Sequence, residues 1–269
     1  MGYSIDWIVP HLRKPSTKLW DIASSFTFVC VGIFTKIVIG VPITEWLNRT
    51  KIYNRHIIDN ALDRPPNVPL ITISNHHSCF DDPGLWGTLK IKHLFSRKTM
   101  RWSLAAHDIC FTNTWHSYFF MLGKCIPVVR GDGVYQQAVD LCIERVKKGD
   151  WLHVFPEGKV NMTKETMRFK WGIGRIIYES EVPPIIVPIW HEGMDQVLPN
   201  EPPYVLRLGK KLTFNFGKPL DLTHLVKELR ARNAPDVEAR KTITDYIQDE
   251  MMKLKYETLK LHKDFVEAS

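Results

Sequence analysis

The chain has 269 residues, which is enough for one large α/β domain or two small ones, and 44% of them are hydrophobic, enough for a sizeable core. The sequence has no internal repeat and no low-complexity linker, which favours a single domain. Its 36 basic and 29 acidic residues give a net charge of +7, which favours a membrane surface as partner over nucleic acid, because zinc-finger spacing, RNA-recognition motifs and dense basic arms are absent. The five cysteines are scattered, odd in number and without a C-x-x-C pair, which argues against a disulfide framework.

The first predicted element is an apolar stretch near the N-terminus. Residues 22 to 43 read IASSFTFVCVGIFTKIVIGVPI, close to the roughly 20 residues that a membrane-spanning helix needs. Lys36 lies well inside, where a charge costs about 3 kcal/mol on insertion scales, and Pro42 weakens a straight span further. Three interpretations stay open: a spanning helix, a helix within one leaflet with Lys36 reaching the headgroups, and an uncleaved targeting element. We expect membrane insertion, with these side chains facing lipid: Ile22, Phe28, Ile33, Ile39 and Ile43.

A connector helix and a buried strand are predicted next. Residues 48 to 63 show helical spacings, and two prolines follow them. Residues 68 to 83 read VPLITISNHHSCFDDP, in which the β-branched run is typical of a strand that Asn75 ends. Asp82 before Pro83 suits a helix N-cap followed by proline at the first helical position.

The junction after this strand carries side chains suited to general-base chemistry. Imidazole titrates near neutral pH, and an adjacent carboxylate fixes its tautomer. Two pairs have the same spacing, His76 with Asp81 and His77 with Asp82, and spacing alone does not choose between them. Alternatively, both histidines are ordinary polar residues at the end of the strand and both aspartates cap the helix. A metal site formed by these four side chains and Cys79 is a weaker alternative, because no second cluster of ligands has recognisable spacing.

Two further strands are predicted to end in functional residues. After a basic stretch at residues 97 to 102, predicted near the surface, GKCIPVVRGDG predicts a strand ending at Arg130, which suits either a phosphate contact or a surface salt bridge. WLHVFPEGKVN predicts a strand ending in Phe155-Pro156-Glu157-Gly158. There Gly158 permits close approach of a ligand to the backbone, and Glu157 is suited to a hydroxyl or a basic partner.

The last third of the chain is predicted to complete the sheet and to end in helices. Strands are expected over residues 182 to 190, 204 to 208 and 212 to 216. The C-terminal helices, over about residues 222 to 265, are amphipathic. The first is basic, with Lys227, Arg230 and Arg232 on its polar face, and suits a membrane surface. The second carries a long apolar stripe that is expected to pack on the sheet or on a partner helix.

Taken in order, these motifs resemble those of the glycerolipid acyltransferases, the family of glycerol-3-phosphate and lysophosphatidate acyltransferases. Asn75-His76-x-Ser78-x-x-Asp81 resembles the first motif, the strand before Arg130 the second, Phe155 to Gly158 the third, and residues 182 to 190 the fourth. The resemblance implies that His76 and Asp81 are the catalytic pair and that Asp82 caps the helix. It implies acceptor binding by seven residues: Asn75, Ser78, Arg130, Phe155, Pro156, Glu157 and Gly158. The implied fold is a single α/β domain over residues 48–269, with a mixed central sheet flanked by helices, after an N-terminal segment of residues 1–47.

Four longer segments narrow the resemblance within the family. NHHSCFDDPGLWG, RWSLAAHDICFT, GDWLHVFPEGKVNM and FKWGIGRIIYES are similar to the mitochondrial phospholipid–lysophospholipid transacylases. This implies a reaction that transfers acyl groups from phospholipids such as phosphatidylcholine to lysophospholipids. With monolysocardiolipin as the acceptor, the product is cardiolipin. The implied reaction uses neither coenzyme A nor another cofactor or a metal. The resemblance also implies that the protein is located at the inner and outer mitochondrial membranes, on the sides that face the intermembrane space. It implies that the protein is inserted in these membranes without fully spanning them. Two alternative functions stay open: an acyl-CoA-dependent lysophospholipid acyltransferase and a non-enzymatic membrane scaffold. The protein is also a possible homo-oligomer. His77 stands where the family often has glutamine.

Overall fold

A mixed β-sheet forms the centre of the fold. A computed structural model of the chain describes residues 2–39, 47–95, 97 and 99–268. The strands are β1 (Arg49–Tyr53), β2 (Leu70–Ser74), β3 (Trp102–Ala106), β4 (Cys125–Val128), β5 (Trp151–Val154), β6 (Ile185–Glu192) and β7 (Lys211–Phe216). Their order is β1-β7-β6-β2-β5-β3-β4, and neighbouring strands are parallel except β6 and β7, which are antiparallel. The predicted α/β fold with a mixed central sheet is therefore confirmed.

Helices cover both faces of the sheet. They are α1 (Ile5–Arg13), α2 (Lys18–Ile39), α3 (Arg55–Leu62), α4 (Asp81–Thr88), α5 (Ile91–Leu94), α6 (His107–Cys110), α7 (Thr114–Leu122), α8 (Gln137–Lys147), α9 (Gly172–Tyr178), α10 (Met194–Val197), α11 (Thr223–Ala231) and α12 (Asp236–Glu267). Because alternate residues of a strand point to opposite faces, Ile71 and Ile73 join a core with α1, α8, α9 and α12, whereas Leu70 joins a second core with α2, α3 and α4. Burial on both faces explains why β2 is apolar throughout.

Two predicted elements differ in the structure. Residues 49–53, predicted as part of the connector helix, form the edge strand β1, and only α3 of that stretch is helical. Parallel pairing with β7, in which Ile52 lies opposite Phe214, outweighs the helical spacing. Residues 204 to 208, predicted as a strand, form a loop, since β7 is already paired with β1 on one side and β6 on the other.

The apolar N-terminal helix lies along the domain. α2 has a mean hydropathy of 2.0 and is long enough to cross a membrane. Ile22 and Ile33 are 67% and 43% exposed. Phe28 and Ile39 are fully buried against the domain, so the prediction that these two side chains face lipid is wrong. Ile43 lies outside the described residues.

Lys36 does not extend toward lipid headgroups. Its ammonium donates hydrogen bonds to the carbonyl of Gly87, at 2.8 Å, and to that of Leu89, at the C-terminal end of α4. A cation at this position satisfies terminal carbonyls and stabilises the helix dipole. Burial lowers the pKa of Lys36 to about 8. The charge within the apolar stretch thus joins α2 to α4.

Both ends of the chain pack on the same body. Ile8, Val9 and Leu12 of α1 are buried in the core beside α8, so the N-terminal side of the predicted boundary at residue 47 does not stand apart. α12 contacts α9, β6 and β7 and buries most of its apolar stripe, which confirms its predicted packing on the sheet. The basic face of α11, predicted to meet a membrane, is largely used within the protein. Its Arg230 donates to the carbonyl of Ser180 at 2.8 Å, and the adjacent Arg232 pairs with Glu238 at 2.6 Å.

Candidate active site

The segments that follow β2, β5 and β6 meet at one edge of the sheet. β2 lies between β5 and β6 and is parallel to both, so the carboxyl ends of the three strands lie side by side. Such an edge is the usual ligand site of open α/β sheets. The β2 loop brings residues 75 to 81, the turn after β5 brings residues 155 to 158, and β6 ends at Glu192. Three of the four sequence motifs therefore come together here.

His76 and Asp81 form a hydrogen-bonded pair. Nδ1 of His76 lies 3.0 Å from Oδ2 of Asp81, whose side chain is fully buried, while the His76 side chain is 20% exposed. Because an ionised carboxylate only accepts, Nδ1 carries a proton and Nε2 presents its lone pair. Nε2 makes no hydrogen bond to any residue that the structure describes, and the ring stacks on Phe155 with centroids 4.2 Å apart. This geometry suits a general base whose tautomer is fixed by a carboxylate.

Several groups hold Asp81 in its ionised form. Burial alone raises the pKa of a carboxyl, but the rings of His191 and His76 and the N–H of Ser78 outweigh it, and the pKa of Asp81 lies below its ordinary value. Its Oδ2 also accepts the backbone N–H of His77 at 2.6 Å and that of Ser78 at 2.8 Å. One carboxylate therefore orders both the imidazole and the loop around it.

The alternative pair, His77 with Asp82, is not formed. His77 is 2% exposed, and burial lowers its pKa to about 3, so this ring is neutral at pH 7. Asp82 instead accepts from Nε of Arg101 at 2.9 Å. The N-cap position of α4 is Phe80, so the predicted capping role of Asp82 is wrong. The buried guanidinium attracts this carboxylate more strongly than a helix N-terminus does.

Asn75 and Ser78, which were predicted to contact the substrate, bind the protein itself. Both residues are 0% exposed. The amide of Asn75 donates to the carbonyl of His191 at 2.9 Å and accepts its N–H at 3.0 Å. Oγ of Ser78 donates to the carbonyl of Leu198 at 3.1 Å and accepts the N–H of Phe80. Both side chains therefore use their hydrogen bonds within the protein and shape the loop, and their contacts with the substrate stay predictions.

The turn at residues 155 to 158 lies against the β2 loop. Oε1 of Glu157 accepts the backbone N–H of His76 at 3.0 Å. Glu157 is 2% exposed, burial raises its pKa, and its Oε2 has no hydrogen-bond partner among the described residues. Pro156 is buried, whereas Gly158 is exposed, with a φ of 73° in the left-handed region that favours glycine. A buried acceptor and an accessible backbone thus flank the proposed base.

Arg130 lies at the same edge but not in contact with the His76–Asp81 pair. It follows β4, which β5 and β3 separate from β2, a distance of about 14 Å at the usual strand spacing. Its guanidinium pairs with Asp108 and is 41% exposed.

The described residues contain no cluster of three or more His, Cys, Asp or Glu side chains that could hold a metal ion.

The sequence patterns did not predict the roles of two residues in this region. Arg101, predicted near the surface, is 1% exposed and pairs with Asp82. Nε2 of His191, at the end of β6, lies 3.0 Å from the carbonyl of Asn75 and 3.7 Å from Oδ2 of Asp81. A basic residue in a loop and a histidine late in an apolar strand carry no distinct signal. The pairing of β2 with β6 is the information that singles out the histidine.

Comparisons with known proteins define the class. Residues 50–192, just over half of the chain, match the family model described as Acyltransferase. A solved structure, the 1-acyl-sn-glycerophosphate (LPA) acyltransferase of Thermotoga maritima, is similar with a TM-score of 0.56 over 93% of this chain and 88% of that one. Its sequence identity is 18%, so this likeness concerns the fold alone. The family match and the fold together define an acyltransferase.

Three relatives narrow that class. Tafazzin of Drosophila melanogaster is 56% identical over 98% of this chain and 68% of its own length. Taffazin of Dictyostelium discoideum is 36% identical over 87% and 84%, and N-acylphosphatidylethanolamine synthase of Arabidopsis thaliana is 38% identical over 82% and 77%. The chain therefore belongs to the acyltransferase family and, within it, to the tafazzins. This confirms the resemblance to glycerolipid acyltransferases and the prediction of a phospholipid acyltransferase.

Proposed function

We propose that the chain transfers acyl groups from phospholipids to lysophospholipids without coenzyme A, converting monolysocardiolipin to cardiolipin with phosphatidylcholine as a donor. The observation that carries the proposal is the 3.0 Å hydrogen bond between His76 and the buried Asp81, which leaves Nε2 of His76 free to accept a proton. Membership of the tafazzins supports phospholipids as substrates.

In the proposed mechanism, His76 is the general base. Nε2 takes the proton of the acceptor hydroxyl, while Asp81 stabilises the imidazolium through Nδ1. The acceptor oxygen attacks the donor ester carbonyl, and the tetrahedral intermediate expels the donor's glycerol oxygen, which takes the proton back from Nε2. One ester bond forms and one breaks, so no thioester is needed. A positioned base of this kind contributes about 10²- to 10⁴-fold.

The acceptor is proposed to lie between the β2 loop and the turn at residues 155 to 158. Glu157, whose Oε1 accepts the backbone N–H of His76, is proposed to accept a hydroxyl of the acceptor through its buried, unpaired Oε2 when the lipid binds. The exposed backbone at Gly158 allows a phosphate to come close. Arg130, farther along the same edge, is proposed to contact a more distant phosphate, for which a guanidinium is suited.

We place this activity at mitochondrial membranes that face the intermembrane space. Residues 1–47 are proposed as the anchor of the domain at 48–269, with α2 inserted in one leaflet. Ile22 and Ile33 of α2 are exposed, while its opposite face is buried in the domain. A helix with one face held by protein suits an interfacial position better than a full span.

The proposal is tested by acyl transfer in liposomes. Labelled phosphatidylcholine and monolysocardiolipin are incubated with wild type, His76→Ala and His77→Gln, each with and without coenzyme A. We expect wild-type transfer without coenzyme A and a loss on the order of 10³-fold in His76→Ala. His77→Gln is the matched control and should retain activity, because His77 is buried and neutral.

Two results would contradict the proposal. Transfer that requires acyl-CoA would assign the thioester-dependent alternative. Wild-type activity in a His76→Ala variant with an unchanged circular dichroism spectrum would exclude His76 as the base.

An amine acceptor is a second candidate. The relative named N-acylphosphatidylethanolamine synthase is 38% identical over 82% of this chain. A base that takes a proton from a hydroxyl also takes one from an ammonium group, so the same His76–Asp81 pair serves either acceptor. Replacing monolysocardiolipin with phosphatidylethanolamine in the assay decides the point, because the N-acylated product differs in mass from any transesterified one.

A further inference from the structure

A basic and apolar surface lies at the active-site edge of the sheet, on the side of β1 and β7. β7 is antiparallel to β6 and parallel to β1, so β1 and β7 both begin at the edge where β2 and β6 end. We call this surface the β1–β7 rim and define it by eight residues: Arg49, Lys51, Tyr204, Val205, Arg207, Leu208, Lys210 and Lys211. None of them takes part in the site described above.

The rim concentrates positive charge. Three of its cations lie 6.0, 4.6 and 5.8 Å from the ring centroid of Phe265: Arg49, Lys51 and Lys211. The sequence contains no Asp or Glu from residue 47 to 58 or from 202 to 220. The adjoining last turns of α12 carry equal numbers of both signs: Lys260, Lys263, Asp264 and Glu267. The five cations of the rim therefore attract an anionic partner.

The loop before β7 adds exposed apolar side chains to this charge. Tyr204, Val205 and Leu208 are 65%, 60% and 58% exposed. The backbone that carries them is fixed, since the N–H of Arg207 donates to the carbonyl of Val197 at 2.8 Å and Leu206 packs against the core. The three apolar side chains are thus held outward rather than folded onto the domain.

We propose that the β1–β7 rim binds the surface of an anionic phospholipid bilayer, next to the reacting lipids. Apolar side chains interleaved with cations suit the headgroup region, where both find favourable surroundings. Nucleic acid or an acidic protein would pair with the cations and leave the apolar side chains exposed. β7 and β6 separate β1 from β2 by about 14 Å at the usual strand spacing, so the rim contacts neighbouring lipids rather than the lipid at His76.

Hydrogen bonds join the rim to α2 and to the β2 loop. The side chain of Asn48 donates to the carbonyl of Val38 and accepts the N–H of Lys210, each at 2.7 Å. At the other end of the same loop, Asn200 donates to the carbonyl of His77 at 2.7 Å. A bilayer bound at the rim therefore lies on the same side of the domain as the β2 loop. The inference rests on the proposed function in taking the substrates to lie in that bilayer.

Flotation of the full chain with vesicles tests the role of the cations. The vesicles contain phosphatidylcholine alone or with phosphatidylglycerol, at low and high salt. Arg49→Gln/Lys51→Gln removes two rim charges, and Lys148→Gln/Lys218→Gln removes two from exposed positions elsewhere. We expect the rim variant to bind phosphatidylglycerol vesicles about 20-fold more weakly than wild type, and the control to bind like wild type. The difference should shrink at high salt, because salt screens surface charge.

A second pair of variants tests the apolar side chains. Tyr204→Ser/Val205→Ser is compared with Tyr256→Ser/Val237→Ser, whose parent residues are 69% and 51% exposed on α12. We expect weaker binding of the rim variant to both kinds of vesicle. Binding by both rim variants equal to that of their controls would overturn the proposal.

Acyl transfer in neutral detergent micelles separates this inference from the proposed function. The rim variants should keep wild-type rates there, because docking on a charged bilayer is not needed. A rim variant that is slow in micelles would assign its residues to the reaction and overturn the docking role. If the wild type itself transfers no acyl group, the proposed function fails while vesicle binding still decides the role of the rim.

Discussion

Asn75 and His191 are joined by three hydrogen bonds between the ends of β2 and β6. The Asn75 amide donates to the carbonyl of His191 at 2.9 Å and accepts its N–H at 3.0 Å, and Nε2 of His191 lies 3.0 Å from the carbonyl of Asn75. Because a carbonyl only accepts, Nε2 carries a proton. That N–H is 3.7 Å from Oδ2 of Asp81. The contact therefore fixes the backbone before His76 and adds positive potential beside the carboxylate.

Replacing His191 tests this positioning role. Phenylalanine removes the donor at Nε2, whereas glutamine places an N–H group at a similar reach. We expect kcat to fall about tenfold in His191→Phe, or about 1.4 kcal/mol of barrier, with KM within about twofold of wild type. His191→Gln should recover most of the loss. Steady-state kinetics on both variants make the comparison, and equal losses in the two, or a change in KM alone, would argue against the role.

Motif order and strand pattern predict which segments gather at the active-site edge, because parallel strands place their carboxyl ends together. They do not predict what each side chain contacts. Asn75 and Ser78 follow the predicted strand directly, yet their partners His191 and Leu198 come 116 and 120 residues later. The same limit applies to β1, whose helical spacing was outweighed by a partner strand late in the chain. Local periodicity contains no information on such distant pairing.

The ion pair between the buried Arg101 and the partly exposed Asp82 gives a second prediction. Burial raises the pKa of Asp82, but the guanidinium outweighs burial and holds this pKa below its ordinary value. Arg101→Met leaves the Asp82 carboxylate, which is 21% exposed, without its cation. We expect the free energy of unfolding to fall by about 1.5–3 kcal/mol, measured by urea denaturation.

The double variant Arg101→Met/Asp82→Asn is the control for this effect. It removes the charge as well as its partner, so it should regain part of the lost stability. A double variant no more stable than Arg101→Met would show that the unpaired carboxylate is not the cause.

Lys36 allows the position of α2 to be tested. Its ammonium satisfies two carbonyls at the end of α4, so we expect Lys36→Met to lower the free energy of unfolding by about 1–3 kcal/mol. Lys18→Met, at the exposed start of α2, is the matched control and should change stability by less than about 0.5 kcal/mol. Unfolding in detergent micelles measures both. Stabilisation by Lys36→Met would instead indicate that α2 crosses the bilayer with this charge in lipid.

His153 and His77 make stability depend on pH. Burial lowers the pKa of each ring to about 3 from 6.5. The hydroxyl of Ser74 donates to a backbone carbonyl, so it accepts Nε2–H of His153, 3.3 Å away. Nδ1 of His153 then accepts from the hydroxyl of Thr72 at 2.7 Å, and a proton on Nδ1 would break that bond. Both histidines are therefore neutral in the folded protein at pH 5.

Between about pH 6.5 and 3, each of these histidines is protonated in the unfolded chain but not in the folded chain. The free energy of unfolding is therefore highest above this pH range and decreases as the pH is lowered through it. Each histidine contributes a slope of about 1.4 kcal/mol per pH unit. His153→Asn keeps an acceptor for Thr72 but does not titrate, and it should remove one such slope in urea unfolding between pH 6 and 4. His116→Asn replaces an exposed histidine and should leave the slope unchanged. A wild-type slope in His153→Asn would mean that His153 is already protonated in the folded state.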